Sequence, residues 1–584
     1  TSCTIDVTGT GREHDGMTRG MAWLGSILGA AVVRLPCARR WPAMSVAALF
    51  CLGWAAAPAV AESVRDVIIN QNSVLERYTP PPTRPRGIGV TVVTDDVAGV
   101  APEALDSVRF TLRTVKVEGA VTLDPALFAP LYAPLVGRTV TLRELDAVLK
   151  GIEAIYRDHD YYARAFAPKQ DLASGAVRIV VYESYIREVS IEGDVHTIRN
   201  LEERLRPYLD RMVEMRPVRI SKLLRYALLM SDLAGLTIDA EFSQIPEEPG
   251  AGRLVLRIDF DPSTFRGRLD NLASDDVGPL ALAGTARFNN LFGMFESTDL
   301  LVVTNPAAPE ELELAQQFQL GPSGFAFGYD IAHIWSQPQD EQDIQAETTQ
   351  GGTYLNYALL RSQERNVIAS LGLRAQDTKV DVNGERAVDQ RKRWVTFGAT
   401  YDDTILGFAS IVEGSFGQGI DAFDASGEDN NDYRFASVQG SLSRGITDTI
   451  NARFVYTGQY AFTHLPSPVR FSLGGENYGR AFDSGAIAGD SGYALAFEMS
   501  KDLAIDIDWL KGLSVFGFVD YGAVWNPPDS GGYEFASLGS AGGGVRARIG
   551  SHTSVATWVA VPYKDEPSLG IEGTRVSFTA GVQF

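Results

Sequence analysis

The last part of the chain alternates residue by residue. Val576, Phe578, Ala580, Val582 and Phe584 are interleaved with Arg575, Ser577, Thr579, Gly581 and Gln583. Val395, Phe397, Ala399 and Tyr401 are interleaved with Trp394, Thr396, Gly398 and Thr400, and Val367, Ala369, Leu371 and Leu373 keep the same period. A period of two places each set on its own face of a β-strand. A soluble sandwich alternates as well. Here, however, the second face carries Arg, Gln, Ser and Gly, which suits a barrel with lipid outside and a wet lumen. About sixteen such segments begin near Phe265, Leu282, Ser297, Leu312, Gly324, Thr353, Asn366, Arg393, Gly407, Tyr433, Ile450, Gly492, Leu513, Ala541, Thr553 and Thr574. That leaves about 20 residues for each strand and its connection, enough for membrane-crossing strands of about ten residues.

Upstream the pattern changes to a repeat. Val115-Lys-Val-Glu-Gly-Ala-Val121 returns as Val189-Ser-Ile-Glu-Gly-Asp-Val195, 74 residues later. Val117 and Gly119 in one copy match Ile191 and Gly193 in the other. In the first copy a strand over 108–117 precedes a short apolar helix near 127–135. A second helix starts at Thr141, with Glu144 placed to complete a capping box. Its apolar positions, Leu145, Val148, Leu149, Ile152, Ile155 and Tyr156, share one helical face. Strands over 161–167 and 176–182 follow. The second copy predicts a strand at 186–191, helices over 198–208 and 220–228, and strands at 236–242 and 253–260. The result is two β-α-α-β-β modules, 107–183 and 184–262, whose exposed sheet edges could accept a partner strand.

Residues 62–79 predict one short helix. Thr79-Pro-Pro-Pro-Thr-Arg-Pro-Arg86 ends it, because proline lacks the backbone donor, and 80–106 reads as a linker. Residues 44–61 form an apolar run after Arg39 and Arg40, ending in Ala59-Val60-Ala61. That order predicts a secretory signal peptide cleaved near Ala61, with 1–43 as a long basic region or an upstream extension. The run is shorter than a bilayer-spanning helix.

Composition narrows the function. The 584 residues carry a net charge of −21, which disfavours nucleic acid as a partner. The only cysteines, Cys3, Cys37 and Cys51, precede the expected cleavage site, so a disulfide framework, a cysteine-ligated zinc and a cysteine nucleophile are excluded from the mature chain. Gly489-Asp-Ser-Gly492 resembles a protease nucleophile signature, but no histidine stands in a matching sequence context, and the segment reads as a turn entering a strand. Asp158-His159-Asp160 reads as a helix end whose histidine faces the last carbonyls. Asp270-Asn271 and the acidic run 428–432 read as loop or rim residues, the second a weak calcium candidate. No cofactor or resident metal is expected.

Signal peptide, short helix, proline-rich linker, two repeats and a barrel of about sixteen strands together resemble the outer-membrane transporters of two-partner secretion. These are the hemolysin secretion/activation branch of the superfamily that also contains the barrel-assembly factors. The most specific local match is Phe471-Ser-Leu-Gly474-Gly475-Glu-Asn-Tyr-Gly479-Arg480-Ala-Phe482, between the eleventh and twelfth strands. The family has there a glycine pair and an Arg-Gly-aromatic tip on a loop folded back into the barrel. Ala481 replaces the tip glycine, which argues against a left-handed turn at that position. The partner strand motif is matched by Phe518-Val-Asp520-Tyr-Gly522.

The resemblance implies an Arg480–Asp520 ion pair in the lumen that fixes the loop. It also implies that the repeats are POTRA domains facing the periplasm, and that the 62–79 helix is a removable plug. The implied partners are an unfolded exoprotein captured by the POTRA domains, outer-membrane lipid, and the barrel-assembly machinery, which would read the terminal aromatic Phe584. The function implied is non-enzymatic export of that exoprotein through the barrel. A barrel-assembly factor of the same superfamily is the second reading; a diffusion porin would need no repeats, and a partner-modifying activator would need a chemical site.

Overall fold

The computed structural model describes residues 2–5, 90–92 and 104–584, except 194, 246, 274–277, 306–308, 338–342, 428–430, 528–533 and 566–572. The expected signal peptide, the 62–79 helix and most of the 80–106 linker lie outside the described residues, as does most of the acidic run 428–432.

The first module contains β3 (Arg109–Thr111), β4 (Thr114–Glu118), β5 (Thr139–Thr141), helix α1 (Leu142–Asp158), β6 (Ala163–Phe166) and β7 (Ala176–Glu183). The expected first strand is thus two, and the short apolar helix is a chain of single turns over 125–135. The capping box at Thr141 and Glu144 is formed in both directions, satisfying two free helix-end donors. The apolar face of α1 lies on the sheet, with Ile152 and Tyr156 fully buried against Phe128 and Ile179.

The second module repeats the plan with β8 (Tyr185–Gly193), α2 (Leu201–Val213), α3 (Ile220–Ser231), β9 (Leu236–Gln244) and β10 (Ala251–Phe260). In both modules the first strand pairs parallel with the last, and the middle strand pairs antiparallel with that last strand. Two short strands, β1 (Ser2–Ile5) and β2 (Val90–Val92), add to the outer edges of the second sheet beside β8 and β9. The repeated glycines have one physical reason. Gly119 and Gly193 both hold positive φ, and a methyl built on either would sit 2.3 Å from a carbonyl oxygen, that of Val181 or of Ile258. Only glycine lets the end of the first strand pass so close to the last.

Within the first module Glu183 accepts hydrogen bonds from the amides of Val121 and Thr122 and from the Tyr156 hydroxyl. The modules themselves are joined by partly exposed polar contacts and by the Tyr162 N–H donating to the Val218 carbonyl. Asp160 accepts from the Ser221 amide and hydroxyl and pairs with Arg219. Tyr162 of the first module packs into the core of the second, edge-on to Phe242.

The rest closes into one antiparallel barrel. Its sixteen strands are β11 (Ser263–Asp270), β12 (Ala281–Asn289), β13 (Ser297–Thr304), β14 (Pro309–Gln319), β15 (Phe325–Ser336), β16 (Ile344–Arg361), β17 (Asn366–Val382), β18 (Glu385–Ile405), β19 (Phe408–Gly419), β20 (Arg434–Gly445), β21 (Ile450–Ala461), β24 (Ser491–Leu503), β25 (Leu510–Trp525), β26 (Phe535–Ile549), β27 (Thr553–Lys564) and β28 (Arg575–Gln583). The alternation read from the sequence becomes an apolar outer girdle that includes Leu282, Ile331, Phe397, Val519 and Val576. Closure leaves no unpaired strand edge facing lipid. At the seam β11 pairs with β28 over Arg266–Asp270. Asp270 and Asn271 are not loose rim residues as expected. Asp270 is fully buried and bonds Arg268 and the Leu272 amide, while the Asn271 side chain bonds the Val576 carbonyl and the Phe578 amide.

The second module is seated on the barrel turns. Arg361, almost fully buried, donates two bonds to Asp232 at the end of α3, at 2.9 and 2.8 Å. Arg225 bonds the Ala358 carbonyl at 2.6 Å, and Asn200 and Arg204 bond the Gly293 carbonyl. Phe295, from the turn after β12, is buried in the core of the second module.

Candidate functional site: a loop seated on the lumen wall

The connection between β21 and β24 folds back against inward-facing wall residues. Within it β22 (Phe471–Leu473) and β23 (Ile487–Gly489) pair antiparallel as a hairpin. Gly474, Gly475 and Gly479 have positive φ, and a methyl on Gly474 would lie 2.0 Å from the Asp483 carbonyl oxygen. The left-handed turn is therefore made at Gly479, and Ala481 is not among the positive-φ residues. The tip is closed by Phe482 N–H donating to the Gly479 carbonyl at 2.9 Å and Gly475 N–H donating to the Phe482 carbonyl at 3.2 Å.

Ala481 and Phe482 are buried among Leu473, Ile487, Phe516, Phe518 and Trp558. The wall under them is built from small residues, because the loop needs depth. Gly542 and Gly544 leave room for the rings of Phe518 and Phe516, and a methyl on Gly522 would meet Leu473 of the hairpin at 2.7 Å.

The expected Arg480–Asp520 ion pair is not formed. Asp520 is buried, and its Oδ1 accepts the Gly479 N–H at 2.8 Å and the Ser540 hydroxyl at 2.7 Å. It holds the backbone of the tip rather than the guanidinium. Arg480 instead donates to Glu498 Oε2 at 3.0 Å and lies 4.2 Å over the Phe518 ring. The register explains the choice: Glu498 on β24 stands directly opposite Phe518 on β25, so one guanidinium meets both. Arg546 shares Glu498 at 2.7 and 3.0 Å and lies 3.9 Å over Phe516. Two more contacts tie the loop across the barrel seam, Glu476 to Arg268 on β11 at 2.7 Å and Asp483 to Arg575 on β28. At the loop base Asp490, fully buried, pairs with Arg470 and His464.

Of the residues marked in the sequence, Gly474, Gly475, Gly479, Arg480, Phe482, Phe518, Asp520 and Gly522 come together in this one site. Glu498, Arg546, Ser540, Arg268 and Arg575 were missed. The signal for Glu498 was present: it is an acid in the middle of a strand, on the inward face it shares with Ala494 and Ala496. The repeat residues Val117, Gly119, Ile191 and Gly193 stand apart, in the modules. Phe584 is exposed at the barrel seam, its backbone bonded both ways to Phe265 and its ring stacked on His552. His464 does reach Asp490, at 2.8 Å, but Ser491 accepts the Ala461 N–H, and no nucleophile–base bond forms there. His159 Nδ1 meets the Ile155 carbonyl at the end of α1, as its sequence context suggested.

The comparisons fit this architecture. The family described as "Haemolysin secretion/activation protein ShlB/FhaC/HecB" matches residues 259–547, and "POTRA domain, ShlB-type" matches 110–184. The chain belongs to this two-partner secretion family. Its members are outer-membrane transporters, and this chain is one by its barrel and its family. The outer membrane transporter CdiB of Dickeya dadantii (strain 3937) is 21% identical over 519 residues, covering 82% of this chain and 88% of that protein. The heme/hemopexin transporter protein HuxB of Haemophilus influenzae (strain 86-028NP) is 20% identical over 408 residues, 66% of this chain and 71% of that protein. The solved structure of CdiB from Escherichia coli shares the fold with a TM-score of 0.69 at 19% identity, covering 90% of this chain and 99% of that one. CdiB from Acinetobacter baumannii gives a TM-score of 0.57 at 14% identity, covering 90% and 98%.

Proposed function

We propose that this transporter exports one partner exoprotein through its barrel, with the POTRA modules capturing the unfolded chain in the periplasm. The observation that carries the reading is the seated loop. Gly479 and Arg480 are held by wall residues Asp520 and Glu498, in a barrel whose POTRA module is clamped to it through Arg361 and Asp232. Such a loop narrows the lumen, and its release would exchange its ion pairs and hydrogen bonds for water and lift Phe482 out of its apolar pocket on the wall. The POTRA sheets and grooves suit capture of an extended chain through its backbone, whatever its side chains. The 62–79 helix would occupy the lumen until export begins. Phe584 would serve the barrel-assembly machinery, and cleavage near Ala61 would precede it. No catalytic step is part of this function.

The test is proteomics of the culture medium from a strain deleted for the gene and complemented with wild type or Arg480→Ala. One large protein that disappears on deletion and returns with wild type supports export and identifies the substrate. An unchanged medium with depleted outer-membrane barrels would instead establish the assembly-factor reading.

A further inference from the structure

The stretch from Arg204 to Arg225 holds seven basic residues against two acids, in a chain whose net charge is −21. Four of them, Arg211, Arg216, Arg219 and Lys222, converge with Tyr161 and Tyr226 on a cleft of 430 Å³ where the two modules meet. Arg219 is already paired with Asp160 at 3.2 Å. Among the described residues Arg211 pairs only with Glu214, at 4.0 Å. Arg216 lies 4.3 Å over the Tyr185 ring, and among the described residues neither it nor Lys222 has a carboxylate within ion-pair distance. Arg211, Arg216 and Lys222 are exposed. The cleft is thus a local reversal of sign on a chain that otherwise repels anions.

We propose that this cleft binds a carboxylate-rich, extended segment of the exported polypeptide. The inference rests on the export reading and adds the charge class of the segment and where it docks. The floor between the modules is fixed by the Asp160 bonds to Ser221 and Arg219 and by the backbone bonds from Tyr162 to Val218 and from Val218 to Ser184, so the cations are presented at set positions. Tyrosine faces beside them add contact area for a chain with no fold of its own. A lipid headgroup fits the position poorly. The cleft lies at the start of α3, whereas Asp232 at the end of that helix touches the barrel. At 1.5 Å per residue the two ends are about 18 Å apart. Exposed cations act weakly one at a time and are screened by salt, so binding must use several together and must weaken as salt rises.

The test uses the full-length chain in neutral detergent and a fluorescein-labelled short peptide of Glu, Gly, Ser and Tyr, with a Lys-for-Glu twin. Anisotropy should show salt-sensitive binding of the Glu peptide alone. Arg216→Glu/Lys222→Glu should weaken it about tenfold or more, as expected when clustered charge is reversed. Lys116→Glu/Lys150→Glu, on the first module away from the cleft, should leave it unchanged. In the deletion strain the Arg216→Glu/Lys222→Glu variant should lower the exported protein in the medium at constant barrel abundance. Equal binding of the Lys twin, equal loss in the Lys116/Lys150 control, or displacement of the peptide by phosphatidylglycerol would each overturn the proposal. Export that is lost on deletion yet normal in Arg216→Glu/Lys222→Glu would end the cleft proposal alone. A medium unchanged on deletion would end the export reading itself.

Discussion

Replacing Glu498 by Gln tests how the loop is held. Glu498 serves two guanidiniums, Arg480 at 3.0 Å and Arg546 at 2.7 Å, and the Glu498 and Arg480 side chains are each 13% exposed. Arg546 is 42% exposed and can turn to water when its partner is neutralised. Arg480 cannot do so without lifting the tip from the wall. Leaving a buried charge without its partner costs about 3–5 kcal/mol, and the Gln oxygen recovers part of it, so the seated loop should lose about 2–3 kcal/mol. At about 1.4 kcal/mol per factor of ten, the ratio of seated to released loop falls about 30- to 140-fold. Arg480→Ala should be milder, since Glu498 keeps Arg546 and no charge is stranded. The double variant Arg480→Ala/Glu498→Gln should be no worse than Arg480→Ala alone. Single-channel conductance in planar bilayers reads the outcome, because a released loop leaves a wider, fluctuating lumen. If the two single effects simply add in the double variant, Arg480 and Glu498 do not act as one unit and the reasoning is refuted.

Other consequences follow from the same geometry. Asp520→Asn keeps an acceptor for the Gly479 N–H and should change conductance little, whereas Asp520→Ala strands that donor and the Ser540 hydroxyl at about 1–3 kcal/mol and should release the tip. Gly522→Val should displace Leu473 and raise conductance without lowering barrel abundance, as judged by heat-modifiable migration on gels. Arg361→Ala should loosen the second POTRA module, seen as faster hydrogen exchange at the end of α3, because Asp232 loses both bonds. Burial alone would raise the pKa of Glu183, but hydrogen bonds from Thr122, Val121 and Tyr156 outweigh it and hold the carboxyl below its usual range. A depressed folded value means these bonds contribute fully above the unfolded value of about 4.3 and are lost as pH falls through the folded value. The exchange protection of the Val121 and Thr122 amides should therefore drop on acidification, and Glu183→Gln should remove that pH dependence.

Much of this protein is set locally. The period-two alternation at Val576–Phe584 must put Arg575 and Val576 on opposite faces of any strand it forms, so lumen and lipid faces were legible without a structure. The capping box at Thr141 and Glu144 and the twice-occurring Glu-Gly at Gly119 and Gly193 are likewise short-range constraints. The partner of Arg480 was not legible. Which carboxylate a loop cation meets depends on the depth to which the hairpin sinks and on the register that sets Glu498 opposite Phe518, and both come from strands far apart in sequence. The same holds for Asp270 and Asn271, which look like rim residues until the first and last strands close on one another. Arg225 and Arg361 were silent for the same reason, since their partners belong to another folded body. The sequence determined which faces are apolar and which turns are possible; barrel closure, the depth of the loop and the seating of the POTRA module were decided by tertiary packing, because long-range pairings fix distances that no local pattern encodes.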